Sequence, residues 1–262
     1  MIRLFVGTDG TNCDLESQMV LEYSVRKHAS QPVQIVWMQQ AAQGPYAGWR
    51  CASGRTPFTH FRWSLPGMCA YQGKAIYTAS DFVFLADIAE LWDQDVPGVF
   101  LSKQPKQHLG KLCCLLFDCA KAYGHVPDLP TLRKMPDPQG GLTKYFKEHP
   151  DLSSGFAGNW NALDGDGMEL GDPRMKAIHY TRMEHQFHLK YAGPRLAAEG
   201  RTHWYTGPTF AHPRPELQAM FDQLYAEAIE AGYTVEQYRV DAFTGAQRRD
   251  FAYTHHRGTV PV

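Results

Sequence analysis

FRWSLPGMCAYQGKAIYTASDFVFLADIAELW, residues 61–92, is the stretch whose reading decides the fold of this chain. Residues 61–71 predict a helix despite Pro66, and Gly73 separates it from the next element. Residues 74–78 have the composition of a strand, and residues 82–86 form a second apolar run. Asp87 then offers a short acceptor side chain that can cap the amphipathic turn at 88–92. Asp81 stands between the two apolar runs, where a carboxylate is costly to bury unless donors or a cation meet it. Taken alone, such an Asp reads either as a turn or cap residue or as a ligand.

Outward from this stretch, the chain has the rhythm of a parallel α/β sheet. Residues 2–7 are an apolar run ending at Gly7, followed by the polar loop Thr8-Asp9-Gly10-Thr11-Asn12. A helix is expected over 15–27 with Asp14 as its N-cap, and a second strand over 33–38 after Pro32. Strand, polar loop, helix and strand is the opening unit of such a sheet. Residues 39–58 lack periodicity, and a loop that long in a compact domain is usually functional. Further strands are expected over 99–101 and 112–117, a helix over 142–148, and a strand-like run over 176–181 that carries His179. Pro215 opens the clearest helix, with Leu217, Met220, Phe221, Leu224 and Ile229 on one face. The last twenty residues, with Arg248-Arg249 and His255-His256, read as a surface tail.

Composition narrows the partners. The 26 basic and 27 acidic side chains leave a net charge of -1, so no global field attracts nucleic acid. Neither a signal peptide nor an apolar run of bilayer length is read in the sequence, which leads to the expectation of a cytoplasmic protein. Of the six cysteines, three crowd into LCCLLFDC. That spacing suits small buried thiols in a reducing compartment better than a disulfide framework or a zinc site.

Residues 61–92 also carry a resemblance. In order, Arg62, Leu65-Pro66, Tyr71-Gln72-Gly73, Tyr77-Thr78-Ala79-Ser80-Asp81 and Asp87-Ile88-Ala89-Glu90-Leu91-Trp92 match a succession found in bacterial members of glycosyltransferase family 8. These are the retaining glycosyltransferases that include glycogenin and lipopolysaccharide galactosyltransferases. The resemblance covers most of residues 1–190 and is thin over 120–155. It implies a GT-A fold, a mainly parallel sheet flanked by helices, in one catalytic domain over 1–262 with a C-terminal helical and tail region from about 212. It also implies transfer of a hexose from a nucleotide-diphosphate sugar, UDP-sugar first, to a glycan or lipid-linked acceptor. Peripheral membrane association would fit such an acceptor.

In the family an Asp-x-Asp motif holds manganese, or magnesium in its place, against the donor diphosphate, whose charge must be offset as it leaves. Asp81 matches the second Asp, but Ala79 replaces the first. The family's late metal-binding His falls on His179, in KAIHYTRMEHQFH. A borderline cation accepts imidazole beside carboxylate, so Asp81 and His179 are the expected metal ligands.

Beyond His179 the family's Pro-Trp pair is missing, although Gln186 is retained; Arg182 or His185 stands where a phosphate-binding Lys would be expected. Gly7, Thr8 and Asp9 match the loop that contacts the donor nucleoside. Tyr77, Ala79, Ser80 and Asp81 form the rest of the expected donor edge. Arg62 matches a basic residue near the phosphate or sugar, and is otherwise a surface ion pair. Asn159, Trp160 and Asn161 match a Trp-Asn element suited to a sugar, unless Trp160 is core. Arg62, Asn161 and Gln186 are thus the candidate catalytic residues, and no nucleophile is assigned. A literal Asp-x-Asp at Asp164-Gly165-Asp166 reads as a solvated turn. Two alternatives stay open because of Ala79: a catalytically silent nucleotide-sugar binding protein, and a metal-independent transferase.

Overall fold

The computed structural model describes residues 1–49, 56–103 and 111–241. The expected C-terminal surface tail and the middle of the 39–58 loop lie outside the described residues. The chain opens with strand β1 (Ile2–Thr8), helix α1 (Leu15–His28) and β2 (Val33–Gln39). A 3-10 turn at Phe61–Ser64 and α2 (Leu65–Met68) then lead into β3 (Lys74–Ala79) and β4 (Phe82–Phe84). Next come α3 (Ala89–Trp92), β5 (Phe100–Lys103), β6 (Lys111–Asp118), α4 (Leu129–Leu132) and α5 (Pro138–Glu148). The remainder is β7 (Ser153–Gly155), β8 (Ala162–Leu163), β9 (Ala177–His179), α6 (Leu189–Ala198) and α7 (Pro215–Glu230).

Six strands form one sheet in the order β2-β1-β3-β6-β5-β7. β1 pairs in parallel with β2 and β3, β7 with β5, and β6 alone runs against both its neighbours. β1 is buried along nearly its whole length, as expected of an inner parallel strand whose two faces are both covered. The architecture is therefore α/β with a mostly parallel central sheet flanked by helices.

A second sheet, β4-β9-β8, stands beside the first. It has its own apolar cluster, in which Val83 and Ile178 pack with Phe187, Leu217 and Phe221. Through α7 this cluster continues onto α1, where Ala228 meets Leu15 and Met19. Lys27 and Glu227 close the same seam with a 2.6 Å ion pair.

Several boundaries differ from the sequence reading for local reasons. The helix expected over 61–71 is two short turns that stop at Met68, where Ala70 and Tyr71 adopt left-handed backbone (φ 50° and 55°) and swing the chain into β3. α5 begins earlier than 142, since Asp137 caps it by accepting from Gly140 N at 2.8 Å and Pro138 occupies its first turn. α6 is absent from the sequence reading, hidden by the internal Pro194.

The expected Asp14 cap is a correction: its side chain makes no cap bond to α1. Asp9, five residues upstream, instead organises the loop that leads into the helix. Its Oδ1 accepts from Thr11 N at 2.5 Å and its Oδ2 from the N–H groups of Cys13 and Asp14, both at 3.2 Å. That loop leaves Asp14 able to turn elsewhere.

Candidate active site

The C-terminal ends of β1 and β3 lie side by side, with Gly7 paired to Ala79 and Ser80 N donating to Gly7 O at 2.9 Å. β3 hands the chain at Ser80 and Asp81 to β4, which pairs antiparallel with β9 so that Phe82 faces His179. This register, not sequence proximity, brings the two expected ligands together. Asp81 Oδ2 is 3.4 Å from His179 Nε2, and their side chains are 14% and 6% exposed. Two ligands of one cation, each at about 2.1 Å, sit roughly 3 Å apart, so the pair fits a shared ion.

The neighbours of the pair prepare it for that role. His179 Nδ1 lies 2.9 Å from Asn161 Oδ1. Donation there puts a ring proton on Nδ1 and aims Nε2 at Asp81, the second-layer arrangement common to metal-binding histidines. The imidazole also stacks on Phe82, with centroids 4.5 Å apart and a 13° tilt. Gln186 Nε2 donates to Asp81 Oδ2 at 3.4 Å, while Asp81 Oδ1 is buried with no hydrogen-bond partner among the described residues. Burial pushes the His179 pKa down, but the Asp81 charge and hydrogen bond oppose this and hold it above the ordinary histidine value.

Thr8 Oγ1 and Tyr77 Oη, near the same edge, are likewise buried without partners among the described residues. Such atoms cost free energy unless a ligand or solvent meets them. The remaining expected residues take defined places. Gly7 is required because a Cβ there would strike Tyr77 Oη, and Gly10 because one would overlap the Gln40 carbonyl. Ala79 and Ser80 are buried, and the Ala79 methyl stands where a second carboxylate would.

Arg62 is not the surface ion pair of the alternative reading. It is buried, donates from Nε to Thr59 O at 2.6 Å and from Nη1 to Leu112 O, and lies 5.2 Å from the centre of the Tyr77 ring. Trp160 is core, 1% exposed, and its Nε1 donates to Ala157 O at 3.1 Å, so it offers no face to a sugar.

The Asp164-Gly165-Asp166 segment is a turn, but its first carboxylate is a correction. Asp164 is buried and accepts from Thr181 Oγ1 at 3.0 Å and His212 Nε2 at 3.2 Å, whereas Asp166 is exposed and pairs with Lys103.

A second group lies outside the sequence reading. Asp14, His188 and His203 bring their ligand atoms within 4.8 Å of one another, a set of types able to hold a metal ion. Asp14 Oδ1 accepts from His203 Nε2 at 2.8 Å and Oδ2 from Trp204 Nε1 at 3.0 Å, with His188 Nε2 3.3 Å from Oδ1. Burial raises this carboxyl's pKa, but the two histidines more than offset it and hold the group well below the usual carboxylate value. His203 Nδ1 accepts the Tyr205 N–H at 3.0 Å, which keeps the neutral ring's proton on Nε2. A cation at Nε2 would have to displace that proton and break the Tyr205 bond, so the hydrogen-bonded node is the better account of this group. Tyr180 stands between the two centres, its phenol pKa raised by burial and by the charges of Asp81 and Asp14. No sequence signal links residues some 190 positions apart, and this node is legible only in the fold.

A surface depression of about 330 Å³ lined by Tyr71, Tyr123, His125 and Pro127 lies toward the other end of β3, away from these groups. Among the described residues, no helix is long and apolar enough to cross a membrane.

No family model matches the sequence. Protein CDI of Arabidopsis thaliana is 28% identical over 209 residues, spanning 69% of this chain and 77% of that protein. Among solved structures, the fold is similar to the galactosyltransferase LgtC in complex with donor and acceptor sugar analogs. That match has a TM-score of 0.55 at 11% identity, over 86% of this chain and 96% of that one. The glycosyltransferase GlyE of Streptococcus pneumoniae TIGR4 gives 0.54 at 14%, over 88% and 64%. The bifunctional glycosyltransferase WbbM gives 0.50 at 12%, over 69% of this chain and less than half, 46%, of that one. At these identities the likeness establishes the fold, the GT-A architecture of glycosyltransferases.

Proposed function

We propose that this chain is a glycosyltransferase of the family 8 type. It transfers a hexose from a nucleotide-diphosphate sugar, UDP-sugar first, to a hydroxyl of a glycan or lipid-linked acceptor with retention of configuration. The observation that carries the reading is the Asp81–His179 pair at the sheet edge, 3.4 Å apart, with Asp81 Oδ1 buried and unpartnered among the described residues.

Asp81 and His179 would hold a manganese or magnesium ion, which when bound offsets the charge that develops on the leaving diphosphate. Asn161 fixes the His179 tautomer, and Gln186 orients the Asp81 carboxylate. Gly7, Thr8 and Asp9, with Tyr77, Ala79 and Ser80 behind them, form the edge against which the nucleoside rests. Arg62 reaches the donor only by giving up the carbonyls it now holds, and its assigned role is to support that edge beneath Tyr77. In the transfer, the bond from the anomeric carbon to the diphosphate oxygen breaks, and one from the same carbon to the acceptor oxygen forms. The acceptor proton passes to solvent or to the departing phosphate. Residues 1–262 would act as one catalytic domain, with the region from about 212 as its C-terminal support. The protein would act in the cytoplasm, peripherally associated with a membrane where the acceptor is a lipid.

Ala79 favours a second reading, a nucleotide-sugar binding protein without turnover, because one carboxylate of the metal motif is missing. Isothermal titration with UDP-glucose and UDP-galactose, with manganese or with EDTA, combined with an assay of donor hydrolysis, separates the two. Binding that is indifferent to manganese, with no hydrolysis, sinks the transferase reading. Undiminished turnover in EDTA instead favours a metal-independent transferase.

A further inference from the structure

The segment between α6 and α7 is fastened across the site by a repeated device. His203 Nδ1 accepts the N–H of Tyr205 at 3.0 Å while its Nε2 bonds Asp14 Oδ1 at 2.8 Å. Nine residues on, His212 Nδ1 accepts the N–H of Arg214 at 3.0 Å while its Nε2 bonds Asp164 Oδ2 at 3.2 Å. Each imidazole meets the backbone two residues ahead through Nδ1 and a buried carboxylate through Nε2. One clasp grips the loop after β1, the other the turn after β8.

Between the clasps the segment is tied to residues 184–185. Phe210 N donates to Glu184 O at 2.8 Å, and His185 Nδ1 bonds Ala211 O at 3.0 Å. The Phe210 ring rests against the His185 imidazole, centroids 6.0 Å apart, and is still 61% exposed. The next residue along, Gln186, donates to Asp81. Single exposed apolar side chains are common and need no function. This one differs in that its backbone is pinned on both sides and it is two residue contacts from the Asp81 carboxylate.

We propose that Phe210, with His185 beside it, is the platform on which a hexose ring of the glycan acceptor stacks; this rests on the transferase reading. A pyranose has a face of C–H groups and a rim of hydroxyls, and a flat ring held in place matches that face without ordering cost. With the His185 Nδ1 proton committed to Ala211 O, Nε2 is left as an acceptor for a rim hydroxyl. The clasps and the bonds to residues 184–185 hold the backbone of the platform beside Gln186, whose side chain donates to Asp81.

The test uses the full chain with UDP and manganese present. Lactose, maltose and cellobiose are titrated by saturation-transfer NMR into the wild type, Phe210→Ala and Phe210→Trp, and UDP affinity is measured in parallel by calorimetry. The expected result is at least one disaccharide bound by the wild type, about three- to tenfold weaker in Phe210→Ala, and retained in Phe210→Trp, with UDP affinity unchanged in all three. Equal disaccharide affinity in Phe210→Ala overturns the platform, as does a wild type that binds UDP but none of the three sugars. If the wild type binds no UDP while a disaccharide still depends on Phe210, the transferase reading fails and the platform stands as a glycan site.

Discussion

Replacing Asp14 with Ala should cost the fold about 2–4 kcal/mol. The carboxylate is 4% exposed and accepts from His203 Nε2 at 2.8 Å and Trp204 Nε1 at 3.0 Å. Alanine strands both donors in a largely buried pocket that solvent reaches in part, at roughly 1–3 kcal/mol each and toward the lower end of that range. Relief of the desolvation of the charge itself offsets part of that sum.

The pH dependence follows from the depressed carboxyl. A group whose pKa is lower folded than unfolded stabilises above its unfolded value and loses that contribution as pH falls through the folded one. The difference between wild type and Asp14→Ala should be full at pH 5 and shrink below pH 3.8, the ordinary value of this carboxyl. Urea unfolding followed by circular dichroism at several pH values from 5 down to 2.5 measures it. A loss under about 1 kcal/mol at pH 5 would refute the account of the node, as would a difference that does not shrink with acid.

Three further outcomes are expected. His179→Ala should abolish calorimetric manganese binding while His188→Ala leaves it intact; the reverse pattern would move the ion to the Asp14 group. Asn161→Leu, which removes the acceptor of the His179 Nδ1 proton, should weaken manganese binding about 10- to 100-fold with little loss of melting temperature. Gly10→Ala should lower stability by about 3 kcal/mol or more, because the new methyl meets the Gln40 backbone carbonyl, which cannot rotate away. A thermal melt within a degree of wild type would show that the loop can yield.

The parts of this protein legible in its sequence are those with a local physical signature. β1, β3 and α7 announce themselves through apolar runs or one-sided periodicity, and Asp87 does cap its turn by accepting from Ala89 N at 2.9 Å. Asp81 is conspicuous because a lone carboxylate between apolar runs needs a partner, and His179 because of the motif around it. Long-range pairing has no such signature. Asp14 resembles a cap because its type and position suit one, but its carboxylate is taken by His203 and Trp204 instead. Asp164 has the look of a solvated residue because glycines surround it, yet its partners Thr181 and His212 come from elsewhere in the chain. His203 and Trp204 sit in a stretch without periodicity, and only the folded chain brings them to Asp14.

The antiparallel ladder between β4 and β9 has a consequence for how such a chain can diverge. It is three residue pairs long, and its Phe82–His179 rung sets which face of β9 the imidazole occupies. Adding or deleting one residue within Phe82–Phe84 or Ala177–His179 would invert every side chain beyond it and carry His179 to the opposite surface. Exposed loops between the two strands, such as residues 165–174, face no such constraint, because lengthening a surface loop costs little closure entropy. Relatives of this protein that retain the site should therefore vary in length at such exposed loops, and hardly at all within the six ladder residues or the paired strands β5 to β8.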